Sequence, residues 1–431
     1  MLASQRAVRK MPRVTSADFL RTQGEPLRAL LRAEYEITGA WHALPGEADA
    51  NFKVSTNDGD YLVKVSASGA QGSLQLQAAA VEHLATTAPT LPLTRTIANQ
   101  SGAPLSALEV DDEQRAVWVS RWLPGDLLAR QGVVADDVLE QLGRQVGAMA
   151  RALTTFEDER ADRDLKWDLL QSDWIGDHVD EVEPRTVRDV VTAVHEWFLA
   201  NHRWLKTLRQ STVHNDVNDH NVLISGSPDR AVTGIVDFGD MCRTAIVAEL
   251  AITASYAAMH ADDPLAAIDA VTRGFHRELP LEDQELAAIV PLIELRLAVS
   301  VTNAAVQAKR RPDDPYVTVS QRDAQRLLCA LHGRDHRTAT ERLRAACGEP
   351  PSDTSTQILA HLEAHRDGLP RVLATPTPLE EAAVLDLSFD SVTGGDDPTC
   401  FDEALASDRI AAQLRDAGVD AAVGRYAEPR P

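Results

Sequence analysis

The stretch STVHNDVNDHNVLISGSPDRAVTGIVDFGDM, residues 211–241, decides how the chain is read. Val222-Leu223-Ile224 and Val232 through Val236 read as strands, and Gly226-Ser227-Pro228-Asp229 between them is turn chemistry. His214-Asn215-Asp216 sits just before the first strand, with Asn221 five positions past the aspartate, and Asp237-Phe238-Gly239 follows the second strand. A hairpin brings its outer ends together, so Asp216, Asn221 and Asp237 are expected at one mouth. An aspartate beside a substrate hydroxyl can orient it and accept its proton. An asparagine and a second aspartate suit Mg²⁺, a hard cation that takes oxygen ligands and shares them with nucleotide phosphates. Either motif alone is also what a solvated loop with turn-capping Asp and Asn would show; both together, in order, specify a site.

The spacing His-x-Asp-x-x-x-x-Asn followed by Asp-Phe-Gly is the signature of protein-kinase-like folds. HNDVNDHNVL followed by GIVDFGDM resembles the aminoglycoside-phosphotransferase family of small-molecule kinases. Within it, the Asn-Asp-His-Asn loop and the Asp-Phe-Gly-Asp-Met ending are most similar to the hydroxylysine-kinase-like branch. The His-Asn-Asp opening also resembles choline and ethanolamine kinases and is unlike the His-Arg-Asp of most protein kinases. The resemblance covers about residues 15–345. It implies an α+β, bilobal fold that transfers the γ-phosphoryl group of ATP or GTP to a hydroxyl of a small molecule. Asp216 would be the base, Asn221 and Asp237 the Mg²⁺ ligands, and His214 a support that orients the loop. Asp219 and Asp240 are either carboxylates backing the loop or solvated charges.

Composition agrees with a globular chain. At 431 residues it is long enough for two lobes and a tail, with 44% hydrophobic and 25% charged residues. A formal net charge of −22 argues against non-specific nucleic-acid binding, which needs basic patches. No apolar run of membrane-spanning length is apparent, and the basic amino terminus lacks the apolar core of a secretion signal, so a cytoplasmic location is expected. Cys242, Cys329, Cys347 and Cys400 have no ligand-like spacing and read as incidental thiols in a reducing compartment.

In chain order, residues 1–15 read as a flexible lead-in and 16–125 as a nucleotide-binding lobe. Residues 16–33 suggest a helix interrupted near Gly24 and capped by Ser16. Strands follow at Tyr35–His42, Asn51–Thr56 and Tyr61–Val65, with Asn57-Asp58-Gly59 a hairpin turn. The loop Leu44–Asn51 carries one glycine and no GxGxxG. Lys64, the lone base in an apolar strand, is costly there unless its ammonium meets an anion, and it matches the family's phosphate-binding lysine. The family's helix glutamate aligns on Gln77, with Glu82 one turn on as the alternative; a glutamine can hydrogen-bond Lys64 but cannot neutralise it. A strand-turn-strand is expected over 92–110. The strand 116–123 running into Pro124-Gly125 reads as a hinge, which by resemblance places Ser120, Arg121 and Trp122 near the base of the nucleotide.

Residues 126–347 read as a helical catalytic and acceptor-binding lobe, with helices from Val134 and over 185–209, 244–260, 264–277, 282–309 and 316–332. Aromatics beside Asp168 either pack this lobe or cradle an amine. Glu249, Glu294 and Arg296 are charges inside apolar helices: either structural pairs, or an acid for a substrate amine and Arg296 for a substrate carboxylate. Residues 348–431, with short helices expected at 355–366 and 402–416, read as an acidic linker or tail. Some chains of the resembling branch continue into a pyridoxal-phosphate aminotransferase, so the tail is read as a linker remnant or a docking segment for an aminotransferase-type partner. The reading is a kinase for an amino alcohol or hydroxylated amino acid. An aminoglycoside-modifying kinase and a non-catalytic nucleotide-binding pseudokinase are the alternatives.

Overall fold

The computed structural model describes residues 15–46, 49–226, 230–310 and 321–350. The lead-in before Thr15, part of the Leu44–Asn51 loop, the turn residues Ser227-Pro228-Asp229, the start of the helix expected at Tyr316 and the tail from residue 351, with its two expected helices, lie outside them.

The chain opens with helix α1, Ser16–Tyr35. Its cap is Thr15, whose Oγ1 accepts from the Asp18 amide at 3.1 Å, not Ser16. The helix runs unbroken through Gly24 and Pro26, because Phe19, Leu27 and Leu31 are anchored in the core of the first lobe and packing outweighs local propensity. It also absorbs Tyr35, so strand β1 begins only at Ala40 and runs to Leu44. Strands β2 (Ala50–Thr56), β3 (Gly59–Val65), β4 (Leu105–Val110) and β5 (Glu113–Arg121) complete an antiparallel sheet of order β1-β2-β3-β5-β4. Alternation sorts its two faces. Phe52, Val54, Val63, Val65, Val117 and Val119 join the α1 core, whereas Leu62, Lys64 and Trp118 face an open cleft. Helix α2, Gln71–Thr87, buries Gln77 along with its apolar residues. Of the strand-turn-strand expected over 92–110, the turn and second strand form. The first limb makes only isolated bridges, Leu93 to Ile235 and Thr96 to Ser120.

The larger lobe is mostly helical. It holds α3 (Asp136–Leu153), α4 (Arg185–Leu205), α5 (Ile246–Met259), α6 (Pro264–Glu278), the long α7 (Asp283–Arg310) and α8 (Gln321–Leu331). Short strands β6 (Asp126–Leu127), β8 (Val222–Ile224) and β9 (Val232–Ile235) form one ribbon, and β7 (Gln210–Val213) pairs with β10 (Cys242–Ala245) in another. Thr244 therefore belongs to a strand, and α5 starts two residues later. Every α5 residue except Tyr256 is buried, as expected for a helix apolar all round. Against the expectation from sequence, α7 is long and apolar enough to cross a membrane by length and composition. Its most apolar window is 83% buried within the protein, which is how a core helix passes the same test. Residues Glu282–Val290 group with the described residues from Gly333 to 350 as a second compact unit, in which helix α9, His336–Cys347, pairs its Arg344 with Asp283.

Helices α3 and α6 cross closely because small residues meet there. A Cβ on Gly143 would overlap the Val271 carbonyl oxygen, and one on Gly274 the Glu140 carbonyl oxygen. In an open helix, Gly→Ala stabilises by about 1 kcal/mol. At this crossing Gly143→Ala should instead destabilise by roughly 1–3 kcal/mol through overpacking. Denaturant unfolding reads the sign directly.

Candidate active site

The loop between β7 and β8 and the turn after β9 carry the site. Asn215 (φ 66°) and Asp237 (φ 64°) both hold left-handed backbone, uncommon for residues other than glycine. His214 ties the two segments together. Its Nε2 donates to the Val236 carbonyl at 3.1 Å, its Nδ1 accepts from the Asp216 amide at 3.3 Å, and its ring packs 4.6 Å from that of Phe238. That arrangement requires neutral imidazole, and burial pushes its pKa down to about 4.

Asp216 receives a hydrogen bond on each oxygen: Arg296 Nη2 to Oδ1 at 2.9 Å and Asn221 Nδ2 to Oδ2 at 2.8 Å. Burial raises its pKa to about 7 against the opposing charge of Arg296, while its side chain keeps 20% exposure. Asn221 also donates to the Asp216 carbonyl, which commits its amide nitrogen and leaves its oxygen for another partner. Asp237 receives Lys64 Nζ at 2.7 Å, and Lys64 also reaches Gln77 Oε1 at 3.3 Å. The Lys64 charge is the first cause of the lowered Asp237 pKa. Lys64 is 5% exposed, whereas the Asp237 side chain is 53% exposed. Glu82 is exposed and has no hydrogen bond to Lys64, so the helix partner of the lysine is Gln77.

Asn221, Asp237 and Lys64 line a cleft of about 850 Å³ that Trp118 and Trp122 also line. Trp122 is 37% exposed and lies under Lys53 Nζ at 4.7 Å. Ser120, on the cleft face of β5, is fully buried and does not line the cleft. The hinge backbone is also partly committed: the Arg121 amide donates to Arg95, its carbonyl accepts from Thr94 Oγ1, and the Trp122 amide donates to Asp60. Polar groups for a base edge therefore lie further along, from the Trp122 carbonyl onward. No group of three or more His, Cys, Asp or Glu side chains suited to a metal occurs among the described residues. Asn221 and Asp237 alone fit a divalent cation that completes its shell with phosphate oxygens and water.

The other sequence-predicted residues divide. Asp168 is buried and accepts from Thr244 Oγ1, the Leu170 amide and Gln171 Nε2, so its oxygens brace the local turn and are not presented to an acceptor. The neighbouring tryptophans hold the protein's own cations, Trp174 under Lys166 and Trp167 under Arg296. Glu249 Oε2 accepts the Asn215 amide at 3.0 Å, anchoring the catalytic loop to the start of α5. Burial raises the Glu249 pKa to about 7, above its ordinary 4.5. The native state thus keeps a proton that the unfolded chain has released. The stability this contributes is complete below about 4.5 and is lost as pH rises through about 7. Glu249→Gln should flatten the pH dependence of the melting temperature across that window.

Three supporting residues remain: Asp219, read from sequence as either backing the loop or solvated, and Arg163 and Tyr256, which lie outside that reading. Asp219 is buried between His220 Nδ1 (3.0 Å) and His260 Nε2 (2.7 Å); burial would raise its pKa, but those hydrogen bonds hold it at about 2. Arg163 Nη2 donates to the Gly239 carbonyl at 2.6 Å, bracing the turn after Asp237. Tyr256, the one α5 residue not buried, offers its hydroxyl to Arg296 at 3.2 Å. Arg163 and Tyr256 sit in no local motif and are placed by tertiary packing; Asp219 lies in the Asn-Asp-His-Asn loop, but its partner His260 does not.

A lysine over a two-lobed cleft, with an Asn–Asp pair beside it and a half-buried aspartate behind, defines a phosphotransferase of kinase-like fold. Residues 40–286 match the family model described as phosphotransferase enzyme family, and the chain belongs to that family. Hydroxylysine kinase of Xenopus laevis is 27% identical over 267 residues, 56% of this chain and 69% of that protein. Homoserine kinase of Zymomonas mobilis is 27% identical over 186 residues, 42% of this chain and 56% of that protein. Among solved structures, an amicoumacin kinase in complex with AMP-PNP, Ca²⁺ and amicoumacin superposes with a TM-score of 0.54 at 14% identity, covering 73% of this chain and 96% of that one.

Proposed function

We propose that the chain transfers the γ-phosphoryl group of ATP or GTP to a hydroxyl of a small, amine-bearing molecule of the hydroxylysine or amino-alcohol type. The observation that carries this is one connected array: Lys64 on Asp237 at the cleft, and Asn221, lining the same cleft, hydrogen-bonded to Asp216. Asp216 takes the proton of the acceptor hydroxyl. The acceptor oxygen then bonds to the γ-phosphorus as the bond to the β–γ bridging oxygen breaks and ADP or GDP leaves. Lys64 meets the α- and β-phosphates, and the aromatic wall receives the base. Asn221 and Asp237 would hold Mg²⁺, which when bound neutralises phosphate charge. His214 and Glu249 hold the loop and do not move the proton. Gln77 orients Lys64 without neutralising it, so Asp237 is the carboxylate that balances the lysine charge.

The amine-bearing acceptor follows from the relatives named for hydroxylysine and homoserine and from the acidic surroundings of the base, where Asp240 and Glu249 lie near Asp216. The test is ADP release with Mg²⁺-ATP against hydroxylysine, homoserine, ethanolamine, choline and aminoglycosides. Release that depends on hydroxylysine, homoserine or an amino alcohol supports the proposal. Release with aminoglycosides alone replaces the acceptor. Nucleotide-induced stabilisation with no turnover on any acceptor favours the pseudokinase reading.

A further inference from the structure

We propose that Arg296 reads a carboxylate on the acceptor, so that the substrate is a hydroxylated amino acid and not the corresponding amino alcohol. This rests on Asp216 being the base that meets the acceptor hydroxyl. Arg296 is 2% exposed, and its guanidinium carries a permanent charge with five N–H donors. Its Nη2 serves Asp216 Oδ1 and the Tyr256 hydroxyl. Its Nε and Nη1 have no hydrogen-bond partner although buried. Aromatic rings cover the guanidinium, Trp167 at 5.0 Å and Tyr256 at 5.4 Å from Cζ. The unpartnered Nε and Nη1 donors lie in the guanidinium plane on either side of the committed Nη2, and each can give a charge-assisted hydrogen bond to an oxygen of a carboxylate or phosphate.

Position decides between those two anions. Lys64 and the Asn221–Asp237 pair line the donor cleft, where nucleotide phosphates belong, whereas Arg296 and Asp216 do not line it. Arg296 meets the site through Asp216, the group that on the proposed reading takes the acceptor hydroxyl. An acceptor hydroxyl on Asp216 therefore places its own carbon skeleton within reach of the free guanidinium donors. Leaving such donors unpaired is costly, and a carboxylate removes that cost. The residue before the base repeats the pattern: both side-chain polar atoms of Asn215, fully buried, also lack partners.

Because Arg296 also supports Asp216, loss of turnover alone would not separate recognition from positioning; a ratio does. The measurement is kcat/KM for homoserine against 3-aminopropan-1-ol, and for hydroxylysine against 1,5-diaminopentan-2-ol, each pair differing only by the carboxylate. Wild-type protein should prefer the acid of at least one pair by about 10- to 100-fold, the scale of a hydrogen bond to a charged group. In Arg296→Lys and Arg296→Gln both members slow, and the preference should fall towards one. A wild-type ratio near one, or a preference that survives in both variants, overturns the inference. If no acceptor turns over, calorimetric binding of the same compounds to wild-type protein and Arg296→Gln decides it. Carboxylate-dependent binding lost in the variant upholds recognition even as phosphoryl transfer to these acceptors fails, and no carboxylate dependence overturns it.

Discussion

Asp216→Asn should lower turnover roughly 10²–10⁴-fold, the range expected when a general base is removed, while the protein stays folded. The change is isosteric, but the amide offers one acceptor where the carboxylate offers two. In the native site Arg296 donates to one oxygen and Asn221 to the other, so the variant must turn its NH₂ towards one of these donors. Two effects on stability oppose each other. A carboxylate whose ionisation burial resists is removed, which favours the variant. Arg296, 2% exposed, then faces a neutral amide, which disfavours it. The expected melting temperature is close to wild type, and ADP release in the presence of acceptor is the readout. Turnover at the wild-type rate would remove Asp216 from the base role and with it the direction of attack assumed for the acceptor.

The chemistry was legible in sequence where it is local. His214, Asp216, Asn221 and Asp237 lie within 24 consecutive residues, and a hairpin suffices to bring them together. Lys64 was legible for a different reason, as a charge in an apolar strand that needs an anion; its partner Asp237 lies 173 positions away. What could not be read is pairing set by packing alone. Arg296 stands out in the apolar run Ile293-Glu294-Leu295-Arg296-Leu297, yet nothing nearby says that it meets Asp216 across 80 positions. Asp219 lies in the Asn-Asp-His-Asn loop, but its partner His260, 41 positions on, belongs to no pattern. Asp168 misleads in the opposite sense. Beside Trp167 it suggests an amine cradle, but its buried oxygens are occupied by Thr244, Leu170 and Gln171. In the fold, the error at Gly24 has the same origin, since a local breaker was weighed without the sheet that holds the helix on both sides of it.

Asp237 yields the other large effect, and two substitutions separate its duties. Asp237→Ala should abolish turnover and also weaken the fold. It leaves the Lys64 ammonium, 5% exposed, with Gln77 Oε1 at 3.3 Å as its remaining hydrogen bond. It also puts alanine at φ 64°, a left-handed backbone that costs a β-carbon-bearing residue about 1–2 kcal/mol. Breaking a fully buried ion pair costs roughly 3–5 kcal/mol, but the Asp237 side chain is 53% exposed, so the loss here should be well below that range. Asp237→Asn tolerates the same backbone and still offers Lys64 an oxygen, so most of the stability should return. Activity should not, because an amide neither balances the lysine charge nor binds a divalent cation as a carboxylate does. The pair of variants therefore predicts separate recovery: melting temperature restored by asparagine, ADP release restored by neither. The stabilisation that Mg²⁺-ATP confers on wild-type protein should be much reduced in both. If Asp237→Asn turns over acceptor at the wild-type rate, Asp237 serves only to hold Lys64, and the divalent cation must be held elsewhere.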